Sequence, residues 1–227
     1  MNYSLIAAAT KNLQQYIEAE NYSGYDPYDA LKSPLFKSPF LKSNKWIRFA
    51  TQQLVKRSPI NLRPLLFVPK GINPVTLGLC IQAYCNLIKV YPDKKNELEI
   101  KINSLINQLA QLIPKGYHGA CWGYDFDWEA RYEKISAYQP TIVATGIISN
   151  ALFIVWQTTG NKKALGLCVS SAQFILHDIN RIEDSDGNFC FSYSPFDKEM
   201  VFNASMKGVR ILAQVYSQTK SYPQHAP

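Results

Sequence analysis

The feature that most constrains this chain is a 3.6-residue period in its apolar positions, interrupted by short and long gaps in turn. Ile6, Ala9, Leu13, Tyr16 and Ile17 share one face of a helix over about residues 3 to 20. Trp46, Ile47, Ala50, Leu54 and Val55 mark a second, over about 44 to 57. Leu77, Cys80, Ile81, Tyr84, Leu87, Ile88 and Tyr91 line a third after Pro74, broken by Pro92-Asp93. Leu98, Ile102, Leu105, Ile106, Leu109 and Leu112 line a fourth that ends at Pro114. A fifth opens at Pro140 and runs to Gly160, apolar nearly all round and so expected at the centre. Ala164, Cys168, Ala172, Ile175 and Ile179 line a sixth, and a seventh carries Met206, Val209, Leu212, Ala213 and Tyr216 behind Asn203 as expected N-cap. No long β-alternation competes, so the fold class expected is all-α.

Short turns (Tyr91 to Asn96, Thr159 to Asn161) make antiparallel neighbours of the helices they join. Long connections (Pro114 to Gln139, Arg181 to Val201) separate the pairs and resemble each other. Cys121-Trp122-Gly123-Tyr124-Asp125-Phe126-Asp127 lies on Cys190-Phe191-Ser192-Tyr193-Ser194-Pro195-Phe196-Asp197 with one inserted residue. Small residues open the helix after each: Thr141, Ala144, Thr145 and Gly146, then Ala204, Ser205 and Gly208. Asn73-Pro74-Val75-Thr76-Leu77-Gly78 begins an earlier copy. Helix pairs repeating in this way stack into solenoids or closed rings.

The chain has 227 residues, 47% of them apolar, which suffices for a large core and excludes a disordered protein. Net charge is +7, but from Ala30 through Pro92 there are ten Lys and Arg and no Asp or Glu. Such a stretch favours an anionic partner, with residues 32–70 as its surface, or ion pairs with acids elsewhere in the chain. No nucleic-acid-binding signature accompanies the charge, so nucleic acid is not expected. Lys32-Ser33-Pro34 and Lys37-Ser38-Pro39 read as irregular, extended chain within a basic segment spanning 24–45. The first residues show no export signal and the longest apolar run, Ile142 to Trp156, is short for a bilayer crossing, so a cytoplasmic location is expected. Cys80, Cys85, Cys121, Cys168 and Cys190 then read as reduced, mostly buried thiols, and no zinc site or other cofactor is expected.

Paired helices entered through aromatic and acidic loops resemble an (α/α) toroid of the six-hairpin glycosidase or terpenoid-cyclase type. Gly24-Tyr25-Asp26-Pro27-Tyr28-Asp29, Arg57-Ser58-Pro59-Ile60-Asn61-Leu62-Arg63-Pro64, the Trp122 to Trp128 string and Tyr193-Ser194-Pro195-Phe196-Asp197 are similar to a group of uncharacterised proteins encoded with bacterial surface-polysaccharide biosynthesis genes. The resemblance covers about residues 20 to 218 and implies carbohydrate handling without fixing a reaction. It also implies a single toroid domain over 1–227. A six-hairpin ring needs about twelve helices, and the seven here make about three and a half hairpins, so the domain is expected to be incomplete at its C-terminus. An open arc would expose apolar helix faces and favour a homo-oligomer.

In a toroid, loops entering the inner helices meet at one mouth. Tyr117, His118, Trp122, Tyr124, Asp125, Asp127, Trp128 and Arg131 would there join Tyr193, Asp197 and the Tyr25, Asp26, Tyr28 and Asp29 cluster. Aromatic faces beside carboxylates suit an acidic or neutral oligosaccharide. The same residues could instead plug the end of the helix stack and cap or pair with it. Asp125 and Asp127, or Asp127 and Asp197, are the candidate acid–base pairs for glycoside hydrolysis. A lyase or epimerase would instead use Tyr124 or His118 as base with Arg131 neutralising a uronate carboxylate. A non-catalytic glycan-binding or partner-binding toroid, or an inactive truncated relic, fits the same residues. Asp184-Ser185-Asp186-Gly187-Asn188 resembles a calcium loop, but Tyr193 stands where its Glu would be, so a turn is expected. His177 is expected to meet the last carbonyls of its helix, and Trp46 and Trp156 to lie in the core.

Overall fold

The computed structural model describes residues 3–129 and 134–220. Arg131 and His225 lie outside them. The chain divides into two compact units, where the toroid resemblance implies one domain: Met1–Asn73 with Asp125–Ala137, and Pro74–Tyr124 with Tyr138–Pro227. The division arises because residues 125–137, read as part of a loop between hairpins, pair with the N-terminal segment.

The N-terminal unit contains α1 (Tyr3–Ala19), 3-10 turns at Asp29–Lys32 and Pro34–Lys37, α2 (Pro39–Ser43), α3 (Lys45–Arg57) and a minimal antiparallel pair, β1 (Trp128–Glu129) with β2 (Lys134–Ile135). The Lys-Ser-Pro segment is not extended throughout. Ser33 and Ser38 are extended, with ψ of 132° and 128°, as residues before proline must be, but Pro34 and Pro39 then open helical turns at the first position, where proline's fixed φ fits. Asn44 caps α3 by accepting from the N–H groups of Trp46 and Ile47. Only Gln52 and Val55 of α3 are buried, and Trp46 is 77% exposed, against the expectation that it lies in the core. The face of α3 that packs inward is the one holding the pairing groups, which leaves the tryptophan face outside. No residue of α1 is buried.

The second unit contains α4 (Pro74–Val90), α5 (Lys95–Gln111), α6 (Ile142–Thr159), α7 (Lys162–His177), α8 (Phe202–Thr219) and a hairpin of β3 (Arg181–Glu183) and β4 (Phe189–Phe191). α5 packs on α4, and α7 on both α6 and α8, while α6 lies between α4 and α8. The result is two layers of helical hairpins: α4, α6 and α8 in one, α5 and α7 in the other. Gly160, in the left-handed region at φ 70°, ends α6, and Asn161 caps α7 through the N–H of Ala164, so the α6–α7 turn is as tight as its sequence predicts. Leu77, Ile81, Leu105, Ile148, Leu152, Ile175 and Ile211 fill the core. α6 is the described helix long and apolar enough to cross a membrane; ten of its residues are buried among α4, α7 and α8, as in the core helix of a globular unit.

The internal repeat is visible in a shared hydrogen bond. The Trp122 N–H donates to Thr145 Oγ1 at 3.1 Å, and the Phe191 N–H donates to Ser205 Oγ at 3.0 Å. These pairs occupy matching positions in the two copies. The small residues after each loop serve close approach: a Cβ on Gly146 would lie 2.7 Å from Lys207 Cβ on α8. Asn203 does not cap α8. The cap position is Val201, whose carbonyl accepts from Ser205, and Asn203 lies in the first turn. Asp184 Oδ1 accepts from the N–H groups of Asp186 and Asn188 and closes the β3–β4 turn, as expected of this string.

Candidate functional site

The N-terminal unit carries a cleft of about 350 Å³. Leu31, Lys32, Ser33, Phe36 and Lys37 of the 3-10 turns, Lys42 of α2 and Arg48 of α3 line it together with Pro69 and, from the 125–137 segment, Asp125, Phe126, Asp127, Lys134 and Ala137. Its walls are tied by ion pairs. Lys32 Nζ meets Asp125 Oδ2 at 2.8 Å, with both side chains largely enclosed. Arg48 Nε meets Glu129 Oε2 at 2.6 Å, and Lys134 Nζ meets Asp127 Oδ2 at 2.5 Å. The Ala137 N–H also donates to Asp127 Oδ1 at 2.9 Å. Gln52, fully buried on α3, accepts from the Glu129 N–H and donates to its carbonyl, so a side-chain amide continues the β1 edge.

A second buried network stands behind Asp125. Arg63 Nε meets Asp29 Oδ1 at 2.7 Å, and the same guanidinium donates to the Asp26 carbonyl at 2.6 Å. Asp26 accepts from the Tyr28 N–H and from Asn73 Nδ2. Burial pushes the Asp26 carboxyl above its ordinary range, the Tyr28 N–H opposes this, and the Asp29 and Asp125 charges add to it. The Gly24–Gly71 bridge holds the two strings together. A Cβ at position 71 would lie 2.0 Å from both Asp125 Oδ2 and Lys32 Nζ, so a side chain there would displace this ion pair.

The sequence-predicted residues therefore separate into two groups. Tyr25, Asp26, Asp125, Asp127 and Trp128 belong to the N-terminal unit; His118, Trp122, Tyr124, Tyr193 and Asp197 belong to the helical unit. In the first group only Asp125 and Asp127 line the cleft. Trp128 meets the Tyr28 ring edge-on at 6.0 Å, and the Lys56 ammonium lies over the other aromatic partner, Tyr28, 4.1 Å from its centroid. The Arg63 guanidinium lies 5.4 Å from the Tyr25 ring centre. These aromatics are engaged by cations and by each other.

In the second group, Trp122 is fully enclosed and its indole N–H donates to the Leu109 carbonyl at 2.9 Å, so this ring is core and has no face to offer a sugar. Tyr124 and Tyr193 lie within hydrogen-bonding reach of each other. Burial, then the neighbouring Tyr124 and Asp197, raise the Tyr193 phenol, while Thr141 opposes the rise. The Tyr193 carbonyl accepts from the Ile142 N–H and the Trp122 carbonyl from the Thr141 N–H, so both loops dock on the first turn of α6. Asp197 Oδ1 accepts from the N–H groups of Tyr193 and Glu199, which makes it a loop-shaping group. His118 pairs with Asp178, through Nδ1 at 2.8 Å and through its own N–H at 2.9 Å. His177 meets Gln173 rather than helix-terminal carbonyls.

The residues missed in the sequence are the cleft's basic ones: Lys32, Lys37, Lys42, Arg48 and Lys134. Four of them belong to the acid-free stretch, which was the available signal; the positions of Lys32 and Lys37 depended on 3-10 turns that the Ser-Pro steps concealed. Five cations thus line a cleft with two carboxylates, Asp125 and Asp127, and a third, Glu129, bound to Arg48. Such a lining attracts a ligand with negative charge and hydroxyl groups. Among the described residues no group of three His, Cys, Asp or Glu is placed to hold a metal ion. Comparison of the chain with protein-family models, with curated proteins and with solved structures gives no match in any of the three.

Proposed function

We propose that the protein handles an acidic saccharide in the cleft of its N-terminal unit, as part of surface-polysaccharide assembly. The observation that carries the reading is the pair Asp125 and Asp127 in a cleft whose lining cations outnumber its carboxylates. Lys37 and Lys42 would meet a sugar carboxylate, while the two aspartates would accept from hydroxyls. As a hydrolase, Asp125 and Asp127 would be its acid–base pair. As a lyase or epimerase, the ammonium groups would stabilise the uronate carboxylate beside the carbon that loses its proton. The helical unit would be an arc of an (α/α) toroid, a reading supported by its two helix layers and by the repeated Thr145 and Ser205 bonds.

A non-catalytic glycan binder is favoured by one specific observation: both carboxylates already hold an ammonium, Asp125 that of Lys32 and Asp127 that of Lys134. Incubation with acidic and neutral oligosaccharides, read by calorimetry and mass spectrometry, separates these cases. Hydrolysis adds one water across the products; a lyase adds none and leaves an unsaturated end. Retention without turnover supports the binder. Binding should be confined to acidic oligosaccharides and should weaken about tenfold or more in a Lys37→Ala, Lys42→Ala double variant. Equal binding of neutral sugars, or no effect of the double variant, overturns the reading.

A further inference from the structure

We propose that the outward face of α2 and α3 docks on an anionic lipid bilayer surface. An amphipathic helix on a globular unit ordinarily turns its apolar stripe inward. α3 does the reverse: Gln52 and Val55 are buried and Arg48 is bound to Glu129, while Trp46, Phe49 and Leu54 are 77%, 40% and 60% exposed. The spacing 46, 49, 50, 54 places the three apolar side chains and Ala50 on one face. α2, one residue before α3 and packed on it, adds Phe40 at 71% exposure. The same two helices carry exposed cations, Lys42 on α2 and Lys45 and Arg57 on α3, while Lys56 is engaged by the Tyr28 ring. No carboxylate occurs from residue 30 to 92 to repel an anionic surface. The nearest acid pairing with α3, Glu129, is buried against Arg48.

Exposed tryptophan and phenylalanine flanked by lysines are what the headgroup region accepts. The rings enter the boundary with the acyl chains, and the ammonium groups meet lipid phosphates. A second protein surface would be served by the apolar stripe alone. The one-signed charge around it selects an anionic bilayer.

The test is flotation of the intact protein with vesicles of phosphatidylcholine alone and of phosphatidylcholine with about 30% phosphatidylglycerol. Flotation is expected with the anionic vesicles only, weaker as salt rises, with a blue shift of tryptophan emission that disappears in Trp46→Ala. Lys45→Gln and Arg57→Gln, neither of which lines the cleft, should each weaken partition about fivefold. Trp46→Ala with Phe49→Ala should weaken it about tenfold or more while circular dichroism is unchanged, since both side chains are outside. Lack of flotation with anionic vesicles overturns the proposal, as does flotation indifferent to these variants. Self-association that the Trp46 and Phe49 variants abolish, without lipid binding, also overturns it and assigns the face to a second copy. The cleft's saccharide binding is read separately and does not enter these outcomes.

Discussion

In the helical unit the largest fully enclosed side chains are Trp122, Phe174, Phe191 and a set of leucines and isoleucines. In the N-terminal unit the groups at comparable depth include Asp29, Gln52 and Glu129, each below 4% exposed. The helical unit is held by removal of apolar surface from water, which does not titrate. The N-terminal unit is held by charge pairs that join segments distant in sequence, Asp29 with Arg63, Asp125 with Lys32 and Glu129 with Arg48. A buried charge is tolerated only while its partner stays. The N-terminal unit should therefore be the one that fails first when a single charge is removed, and the helical unit the one that fails when volume is removed.

The largest effect is expected from Trp122→Ala. It opens a cavity and leaves the Leu109 carbonyl without its indole donor, so the helical unit should lose about 4 kcal/mol by denaturant unfolding. Glu129→Ala should cost about 3 kcal/mol by stranding the Arg48 charge, with hydrogen exchange accelerated in α3 and not in α6. Adding Arg48→Leu to that variant should recover much of the loss, which a purely apolar unit would not do. Thr145→Val and Ser205→Ala each strand one buried backbone N–H and should cost about 1–2 kcal/mol apiece. Costs differing several-fold would break the equivalence of the two copies.

The smallest effect concerns pH. Burial raises the Asp26 carboxyl, so the folded state holds that proton more tightly than the unfolded chain does. Its contribution is present below the ordinary aspartate range and is lost as pH rises through the raised value. Asp26→Asn cannot lose it. The variant's stability relative to the parent should thus rise with pH just above the ordinary aspartate range and then level off, as measured by denaturant midpoints. A relative stability flat across that window would show that Asp26 is not desolvated.

All five cysteines lie in the apolar helical unit, so thiol chemistry reports on that interior alone. Burial pushes Cys121 and Cys168 up to about 12 and Cys80 and Cys85 up to about 11, so these thiols stay protonated at neutral pH. A disulfide reagent should modify half-buried Cys80 ahead of Cys121 and Cys168, which wait for unfolding.

The helices were legible because each apolar stripe spans three or more turns. The bounds of α4 to α7 follow their periodicity and their Pro, Gly and Asn punctuation closely. α2 was not legible, because five residues carry no period. β1 with β2 and β3 with β4 are two and three residues long and show no alternation. Trp46 misled because a stripe reveals that a face is apolar but not which way it points. Of the candidate site, Asp125 and Asp127 were named, but Lys32 and Lys134, which hold their carboxylates, were not.

What the sequence alone determined is the local and repeated part: the helix positions, the pairing of helices across short turns and the likeness of the loops at 121 and 190. Spacing and capping act over a few residues, so one segment suffices to specify them. The tertiary structure decided which charges meet and therefore where the chain divides. Asp125 and Trp122 are three residues apart, yet one closes a polar cleft with Lys32 and the other fills an apolar core beside Leu109. Coulombic pairing depends on distance in space after desolvation, and no spacing along the chain encodes that distance.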